Sequence, residues 1–350
     1  MNRIIKTGIC SYGMSGKLFH GPFIDAHPGF ELTAIVERSK NDSRKKYAHS
    51  RLYRTIDELL ADKSIELIIV NTPVQTHYDY AKRAMHEGKN VIVEKPFTVT
   101  SGEAEELTMI AKQEGVHLFV YQNRRYDGDY HAVKEVLTKK LLGEIKEAEI
   151  RFDRFRPELS GKLHKETRIP GAGTTYDLGA HLIDQSLQLF GWPDALFADL
   201  MAMRPGSPVD DYFEILLYYP ELRVRLKGSC FVKQPVPEYI FHGSKGSFLQ
   251  QRSDAQEQQL LLDVVPSLKS WCPAPTEPDG LLVTEKDGKT VREELVSTPG
   301  NYMNYFTDVY KTLTGQAPNP VPGDDGVKIM RILEAAMLSA SEKKIINLIK

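Results

Sequence analysis

An acid and an ammonium group follow a short apolar run in the segment NVIVEKP, residues 90–96. The run is short enough to be a strand that is covered on both faces, and Glu94, Lys95 and Pro96 then end it. A lysine ammonium at a strand end can hydrogen-bond a reacting hydroxyl group and stabilise the alkoxide that develops from it. A solvated charged turn is the alternative interpretation, and this segment alone does not decide between the two.

A second group with reactive potential lies in the segment GAGTTYDLGAHLIDQSLQLFG, residues 171–191. Taken as a helix, it carries one narrow polar stripe at spacings i, i+4, i+7 and i+11: Asp177, His181, Asp184 and Gln188. A histidine with an aspartate one turn away suits a general base, because the carboxylate orients the imidazole and favours its protonated form. An ordinary solvated helix face is the alternative, although such faces usually carry lysine and glutamate.

A metal site explains this stripe less well. No third cysteine or histidine is suitably placed in the sequence to complete a zinc site that Asp177 and His181 would begin. The cysteines, Cys10, Cys230 and Cys272, are odd in number and far apart, with no CxxC pair, which disfavours zinc and a disulfide framework alike. We therefore expect no metal and a cytoplasmic location.

The elements that must position Lys95 follow a repeating strand and helix pattern. Apolar strand-like runs alternate with helical patterns from Ile4 to about Tyr121: IIKTGIC, FELTAIV, IELIIV, NVIV and VHLFVY. Parallel strands need right-handed crossovers, so this alternation predicts a Rossmann-type doubly wound parallel sheet. Ligands of such sheets bind at the carboxyl ends of the strands, which is where Lys95 would lie.

The pattern changes after a predicted helix over residues 129–142. Long alternating stretches then follow one another without an intervening helix, which predicts an open, mostly antiparallel sheet in a second, α+β domain. We expect domain boundaries of 1–122 for the nucleotide-binding part and 123–350 for the substrate-binding and oligomerisation part. Residues 251–280 are expected to form a long surface segment, and two C-terminal helices, 302–314 and 324–341, to bury their apolar faces.

The strand DYFEILLYY, residues 211–219, has two apolar faces. One face carries Phe213, Ile215 and Leu217, while the other carries Tyr212, Leu216 and Tyr218 among others. The second face is too apolar for contact with water alone. Packing against a like sheet in a homo-oligomer and coverage by the chain's own loops both remain open.

The turn after the first predicted strand resembles a dinucleotide-binding fingerprint. It reads Ser-x-Gly-x-x-Gly, from Ser11 through Gly13 to Gly16, where glycines let a pyrophosphate approach backbone amides. The serine departs from the usual first glycine, and its hydroxyl could itself reach a phosphate. The predicted nucleotide-binding residues of the turn are Ser11, Tyr12, Gly13, Met14, Ser15 and Gly16.

The end of the second predicted strand bears on the choice of cofactor. Glu37 stands about 21 residues after Gly16, the register of the acid that binds the adenosine ribose hydroxyls in NAD enzymes. Arg38, Ser39 and Lys40 follow, and they could instead bind the 2′-phosphate of NADP. The sequence therefore predicts NAD or NADP and leaves the choice open.

Bulk properties exclude several classes of function. The chain has 350 residues, 26% of them charged, and a formal net charge of -2, as expected of a globular protein of two domains. Its basic clusters are short, so nucleic acid is not an expected partner. It contains neither a run of 18 apolar residues nor a start like a signal peptide, so we expect no membrane span and no export.

Taken together, these motifs resemble those of the Gfo/Idh/MocA family of oxidoreductases, which includes glucose-fructose oxidoreductase and inositol dehydrogenase. The resemblance covers nearly the whole chain and depends most on the combination of EKP with D-x-G-x-H-x-x-D. It is strongest to the branch of NADP-dependent scyllo-inositol dehydrogenases, through FHGP, NRR and YDLG-H-ID.

The resemblance implies roles for further residues. Lys95 and His181 would flank the reacting carbon, with Asp177 beside them. The cofactor-binding set, with Glu37 and Arg38 at the end of the second predicted strand, would gain residues after the third, fourth and fifth predicted strands: Asn71, Thr72, Pro73, His77, Glu94, Lys95 and Asn123. The substrate side would be formed by Arg124, Arg125, Tyr126 and Asp184.

The leading functional hypothesis is an NAD(P)-dependent dehydrogenase or reductase that acts on a sugar, an inositol or a related polyol. Polyols suit a polar, hydrogen-bonding site in which Lys95 and His181 serve as the acid-base pair. Glycoside cleavage through a transient oxidation is a second hypothesis. A non-catalytic NADPH-binding sensor is a third, and the joint presence of Lys95, Asp177 and His181 argues against it.

Overall fold

The computed structural model describes residues 3–161 and 166–348 and divides into two compact units. The first unit contains the chain up to Asn123, together with Gln256–Cys272 and Asn301–Met330. The second unit contains Arg124–Ala255, Pro273–Gly300 and the chain from Arg331 onward. Two later segments of the chain therefore complete the first unit.

The first unit is built on a six-stranded parallel sheet. Its strands are β1 (Ile5–Ile9), β2 (Phe30–Val36), β3 (Arg51–Tyr53), β4 (Leu67–Val70), β5 (Asn90–Val93) and β6 (Leu118–Val120). They lie in the order β3-β2-β1-β4-β5-β6, which is the order of a Rossmann sheet with its change of direction between β1 and β4. Every residue of β4 is buried, as expected of a strand with helices on both faces. The predicted doubly wound sheet is confirmed.

The helices of the first unit connect these strands and cover the sheet. They are α1 (Gly21–Ala26), which continues a π-helical turn (Gly16–His20), α2 (Ser43–Lys46), α3 (Ile56–Ala61), α4 (His77–His86) and α5 (Ser101–Glu114). Helix α5 begins with a capping box, in which the Thr100 hydroxyl oxygen accepts a hydrogen bond from the Glu103 amide and the Glu103 carboxylate accepts one from the Thr100 amide. This cap fixes the start of the helix shortly after the end of β5.

The second unit contains a nine-stranded sheet. Its strands are β7 (Ile145–Arg151), β8 (Ala195–Met201), β9 (Tyr212–Tyr218), β10 (Arg223–Ser229), β11 (Tyr239–Gly243), β12 (Gly246–Gln250), β13 (Gly280–Lys286), β14 (Lys289–Leu295) and β15 (Ile346–Asn347). They lie in the order β14-β13-β12-β11-β7-β10-β9-β8-β15. In this order, β7 and β10 pair in parallel, and the other neighbouring strands pair antiparallel. The predicted mostly antiparallel sheet is confirmed.

Helices α6 (Gly128–Thr138) and α7 (Ala180–Phe190) belong to the second unit. In β9 the side chains of Phe213, Ile215 and Leu217 are fully buried, whereas alternate residues on the opposite face are half-buried. The two faces that the sequence predicted for this strand are therefore present. Helix α7 continues a second π-helical turn (Thr175–Gly179), so the predicted helix has a wider first turn than an α-helix.

The structure differs from the sequence-based expectation in the segment 251–280. It contains a helix, α8 (Gln256–Leu261), and part of it packs into the first unit with Leu260 and Cys272 buried. Its glutamine-rich and proline-rich composition concealed these buried positions. Four large apolar side chains of this segment are nonetheless exposed: Leu261, Leu262, Val265 and Leu268.

The hairpin of β13 and β14 was not predicted, because β14 reads KTVREEL and its residues are exposed up to the last, so it lacks an apolar pattern. The short strand β3 was also missed. The two C-terminal helices, α9 (Met303–Leu313) and α10 (Gly323–Glu342), were predicted with nearly correct bounds. Met330 and Leu333 are buried as expected, but Met337 is 38% exposed. Within the described residues, no helix combines the length and the apolar character needed to cross a membrane.

Candidate active site

The turn after β1 brings together several of the predicted nucleotide-binding residues. The hydroxyl oxygen of Ser11 accepts a hydrogen bond from the Gly13 amide, so the serine itself closes the turn in which a glycine was expected. A Cβ atom on Gly16 would lie 2.2 Å from the Ser11 carbonyl oxygen, and no side chain fits there. The Asn71 side chain, after β4, donates to the same carbonyl at 2.8 Å. The turn and the end of β4 are therefore held against each other.

The other residues of this turn are more accessible. The Tyr12 ring packs edge-on against Tyr47, with ring centroids 6.0 Å apart, and desolvation raises the pKa of Tyr12. The Met14 side chain is 54% exposed. The amide of Gly21 donates to the carbonyl of Gly16 across the π-helical turn, which starts the helix directly after the glycine-containing turn.

Glu94 connects this turn to the strand end that carries Lys95. Its Oε1 accepts hydrogen bonds from the Ser15 hydroxyl and from His20 Nε2, the second at 2.9 Å, and its Oε2 accepts from the Lys95 amide at 3.0 Å. Burial alone would raise the pKa of Glu94, but the hydrogen bonds and the charge of His20 outweigh it and lower the pKa to about 2. Glu94 is therefore a buried carboxylate ion, not part of a solvated turn.

His20 is a residue of this network to which the sequence analysis gave no role. Its ring is fully buried, 4.4 Å from the Tyr121 ring between centroids, and its Nδ1 has no hydrogen-bond partner among the described residues. The segment FHGP was noted as a mark of one branch of the family, but the histidine stands on a mostly apolar helix face. A buried acid in the EKP segment was the signal that could have suggested a basic partner.

The loop after β4 and the EKP segment are connected by His77. Its two ring nitrogens lie 2.8 Å from the Thr72 carbonyl oxygen and 3.0 Å from the Pro96 carbonyl oxygen. The ring is buried, and desolvation lowers the pKa of His77. The histidine thus lies beneath the two loops, while Pro73 is exposed at the surface. The Thr72 and Thr76 hydroxyl groups are 2.6 Å apart.

Glu37, at the end of β2, has both carboxylate oxygens occupied by its own loop. Oε1 accepts from the Asp42 amide at 3.1 Å, and Oε2 accepts from the Ser43 amide at 3.0 Å and from the Ser43 hydroxyl. Arg54 holds the same loop through the carbonyl oxygens of Glu37 and Lys40. Four residues of this loop are exposed: Arg38, Ser39, Lys40 and Asn41.

The second unit presents the predicted acid-base residues on α7 and its π-helical first turn. His181 and Asp184 are only 3% and 2% exposed, so the alternative of a solvated helix face is wrong for these two residues. Asp177 lies in the π-helical turn, half-buried, and Gln188 is exposed at the far end. Gln185, on the same helix, donates to the Arg124 carbonyl and accepts from the Tyr239 hydroxyl.

Two predicted substrate residues bind each other in the second unit. The Arg125 guanidinium donates through both Nε and Nη2 to the two carboxylate oxygens of Asp184, the first at 2.9 Å. Arg124 donates to Asp127 at 3.1 Å, and its guanidinium lies 4.8 Å from the Phe152 ring centroid. A 3₁₀ turn (Asn123–Tyr126) carries both arginines, with Asn123 buried and Tyr126 half-buried.

Asp210 is a residue of this region that the sequence analysis missed. Its Oδ2 accepts hydrogen bonds from the Thr175 amide and the Thr175 hydroxyl, each at 2.7 Å. Desolvation raises the pKa of Asp210, and the hydrogen bonds from Thr175 oppose that rise. The dipeptide Asp210-Asp211 just before a strand gave no local sign of this contact, because its partner lies 35 residues earlier.

The residues at the carboxyl edge of the first sheet fit a bound dinucleotide. Gly16 leaves room for close approach to the backbone, and Asn71 Oδ1 is buried without a hydrogen-bond partner among the described residues. Such an orphaned acceptor suits a ribose hydroxyl donor. The exposed basic residues after β2, Arg38 and Lys40, suit a phosphate.

Comparison with known proteins assigns both parts of the chain to one family. The family models for the oxidoreductase family's NAD-binding Rossmann fold and for its C-terminal alpha/beta domain match residues 5–122 and 134–348. Together they span most of the chain. It is therefore an oxidoreductase with a domain that binds NAD or NADP.

Individual relatives match over nearly the full length. The scyllo-inositol 2-dehydrogenase (NADP(+)) IolW of Bacillus subtilis is 35% identical over 344 residues, 98% of this chain and 96% of IolW. The uncharacterized oxidoreductase YdgJ of Escherichia coli is 38% identical, with 98% of each chain covered. The crystal structure of the yvaA protein of Bacillus subtilis superposes with a TM-score of 0.95 at 35% identity, over 99% of each chain.

Proposed function

Because this chain belongs to the Gfo/Idh/MocA family of oxidoreductases, we propose that it transfers hydride between a nicotinamide cofactor and a hydroxyl-bearing carbon of a sugar, an inositol or a related polyol. The observation that carries the proposal is the position of Lys95 directly after β5, at the carboxyl edge of a parallel sheet, where such sheets bind their ligands. The activity of IolW on scyllo-inositol, as its name states, supports the substrate class.

Each reactive residue has one role in the proposed reaction. Lys95 hydrogen-bonds the reacting oxygen and stabilises its developing negative charge, while His181 removes the hydroxyl proton on oxidation and returns it on reduction. Asp177 orients the His181 ring. The nicotinamide, when bound, supplies the hydride acceptor or donor. The cofactor would be held by the turn from Ser11 to Gly16, by Asn71 and Thr72, and by the loop after β2. Arg124 and Tyr126 belong to the substrate side.

The proposal is tested with the Lys95→Met variant, which removes the ammonium and keeps much of the side chain's length. We expect nicotinamide fluorescence titrations to give a cofactor Kd close to that of the wild type. Turnover of the best polyol, found by screening inositols and aldoses for absorbance change, should fall about a hundredfold or more, because acid-base and electrostatic stabilisation are lost together. Unchanged turnover would reject the assignment.

The same assays separate the alternatives. A glycosidase that works through a transient oxidation would release an aglycone from a glycoside without net reduction of the cofactor. A sensor would bind NADPH and turn over none of the polyols. Neither outcome is expected, since the chain has Lys95, Asp177 and His181 together.

NADP is the proposed cofactor in preference to NAD. Both carboxylate oxygens of Glu37 are already occupied by amides and a hydroxyl of its loop, which leaves the acid poorly disposed toward ribose hydroxyls. The exposed Arg38, Ser39 and Lys40 follow it and can bind a 2′-phosphate. Arg38→Ala should therefore raise the Kd for NADPH about tenfold and leave that for NADH nearly unchanged, in line with the loss of a charge-assisted hydrogen bond. Equal losses for both cofactors would contradict the preference.

A homo-oligomer formed through the outer face of the second sheet is also proposed. Tyr212, Leu216 and Tyr218 are half-buried on this face, beside the ion pairs of Arg225 with Glu149 and with Glu214. Aromatic and aliphatic side chains on an open sheet face suit a surface that packs against its own copy. The variant Leu216→Glu should lower the molar mass measured by light scattering, and an unchanged mass would reject this interface.

The domain boundary and the location are proposed as they were expected from the sequence. Residues 1–122, which end two residues after β6, would form the nucleotide-binding domain, and residues 123–350 would carry substrate binding and oligomerisation. Two later segments, Gln256–Cys272 and Asn301–Met330, nevertheless pack into the first unit. The three cysteines, Cys10, Cys230 and Cys272, are buried free thiols. Reduced cysteines suit a protein of the cytoplasm.

A further inference from the structure

The start of the helix that carries His181 is bound by an aspartate from a distant loop. Asp210 lies between β8 and β9, and its carboxylate accepts two hydrogen bonds from Thr175, one from the amide and one from the hydroxyl. Its carbonyl oxygen also accepts from the Thr174 amide at 2.9 Å. Three donors at the beginning of the π-helical turn are therefore satisfied by one residue.

The glycine before this turn fits the same carboxylate. Gly173 has a φ angle of +100°, which side-chain-bearing residues rarely adopt. A Cβ atom on Gly173 would lie 2.2 Å from Asp210 Oδ1, so the carboxylate occupies the space that a side chain would need. The glycine is thus required by the backbone conformation and by the neighbouring acid together.

The contact leads directly to Asp177. The Asp177 amide donates to the Gly173 carbonyl oxygen at 3.1 Å, so the backbone that Asp210 fixes is the backbone from which the Asp177 side chain extends. Thr175 is fully buried, and its position in the π-helical turn is two residues before Asp177. A shift of Thr175 therefore moves Asp177.

Asp210 is itself held in place by the next residue. The Asp211 amide donates to the Met201 carbonyl at 3.0 Å, and its carboxylate accepts from the amides of Met203 and Arg204 and from Arg204 Nε. The two aspartates bind different segments: Asp211 binds the loop after β8, and Asp210 binds the start of the π-helical turn. The loop is consequently a firm support at the edge of the sheet.

We propose that Asp210 is a positioning residue for the reaction, which sets the orientation of Asp177 by binding Thr174 and Thr175. This inference rests on the proposed function, in which Asp177 orients His181. Asp210 itself touches neither substrate nor cofactor in this role. Its contribution to turnover passes through Asp177, and it should disappear when Asp177 can no longer act.

A double-mutant cycle in kcat tests this dependence. Asp210→Asn keeps the shape but replaces the charged oxygen that accepts both Thr175 hydrogen bonds with a neutral amide oxygen. We expect kcat to fall about tenfold, because both hydrogen bonds lose their charged acceptor. The Kd for NADPH, measured by fluorescence, should stay within about twofold of the wild type. In the Asp177→Asn background, adding Asp210→Asn should lower kcat by less than about a further twofold, because the two residues act as a unit.

The control and a second variant separate positioning from stability. Asp199→Asn removes an exposed carboxylate that pairs with Lys343 in the same unit, and its kcat should equal that of the wild type. Thr175→Val removes the hydroxyl donor and leaves the acid unchanged, so it should reproduce the loss in kcat. Thr175→Ser keeps both donors, so its kcat should exceed that of Thr175→Val. If Asp210→Asn does not fold, Thr175→Val and Thr175→Ser replace it in the double-mutant cycle with Asp177→Asn, and their kcat values test the positioning role.

Each result is decisive. Fully additive losses in the cycle, or a wild-type kcat for Asp210→Asn and Thr175→Val, would overturn the positioning role while leaving the proposed function intact. If Asp177→Asn and His181→Asn themselves turn over at the wild-type rate, the proposed function fails, and that result is recognisable from the single variants alone. A coupled loss confined to kcat would support both.

Discussion

The two regions that carry the candidate site residues each contain a helix that starts with a π-helical turn, but the carboxylates that bind these turns come from different kinds of segment. In each, a glycine precedes or starts a π-helical turn, Gly16–His20 in the first unit and Thr175–Gly179 in the second, and an α-helix continues it. In the first unit the carboxylate that binds the turn, Glu94, comes from the EKP motif itself. In the second unit it comes from Asp210, outside every motif.

This difference shows which parts of a site a sequence reveals. Reactive groups such as Lys95 and His181 stand in short patterns whose chemistry can be inferred. A residue that binds the same segment can lie in the same pattern, as Glu94 does beside Lys95. It can also lie far along the chain from its partner, as Asp210 does from Thr175 and Arg125 from Asp184. If the comparison is correct, changes in the two regions should have separable effects on cofactor binding, turnover and stability.

The largest effect is expected for His181→Asn in the second unit. Loss of the proposed general base should lower kcat about a hundredfold to ten-thousandfold. The Kd for NADPH should change little, because the predicted cofactor residues up to Asn123 belong to the first unit. Steady-state kinetics and fluorescence titration measure the two quantities, with Gln188→Ala, an exposed residue of the same helix, as the matched control.

Arg125→Met should have the largest effect on the stability of the second unit. It leaves the Asp184 carboxylate buried without its bidentate partner, and breaking a buried pair in this way costs about 3 to 5 kcal/mol of unfolding free energy. Urea denaturation measures this loss. The double variant Arg125→Met/Asp184→Asn should recover part of it, and a double variant no more stable than the single one would contradict the paired role.

Glu94→Gln should change the pH dependence of stability in the first unit. The pKa of Glu94 is lowered from 4.5 to about 2 in the folded protein, since the hydrogen bonds and His20 outweigh its burial. Its contribution, up to about 3 kcal/mol by linkage, is therefore present above pH 4.5 and is lost as the pH falls toward 2. The variant should show a shallower fall in unfolding free energy over this range, and an equally steep fall would refute the assignment.

The smallest effect is expected for Arg83→Met on the surface of the first unit. Arg83 pairs with Asp57 and Asp79, and all three side chains are substantially exposed. Exposed pairs contribute at most about 1 kcal/mol, so the unfolding free energy and kcat should both remain close to those of the wild type. A loss as large as that of Arg125→Met would mean that burial does not separate the two kinds of ion pair.

Much of the fold followed from apolar patterning. The bounds of β2 and β5 agree with the apolar runs FELTAIV and NVIV, because a strand buried on one or both faces must be apolar there. Strand β14 did not follow, since an exposed edge strand needs no apolar side chain. The helix α8 was hidden because the buried part of its segment is short and lies among polar residues.

Less of the site's support followed from the sequence. The turn of Ser11, Gly13 and Gly16 was identified from its glycine spacing, and at Gly16 the Ser11 carbonyl oxygen leaves no room for a side chain. The hydrogen bonds of Glu37 to its own loop were not predicted. The sequence shows only an acid at this position, and that acid looks the same whether it binds a ribose or the Ser43 amide. Contacts between residues far apart in sequence, such as that of Asp210 with Thr175, leave no local pattern.

Direct observation of hydride transfer tests the central claim. The protein would be mixed with NADP and the preferred polyol carrying deuterium on its hydroxyl-bearing carbons, and the reduced cofactor would be analysed by mass spectrometry, for the wild type and for Lys95→Met and His181→Asn. We predict that each reduced cofactor molecule formed by the wild type carries one deuterium. In either variant, labelled cofactor should form at about a hundredth of the wild-type rate or less. Unlabelled reduced cofactor, or equal rates in all three proteins, would contradict the account.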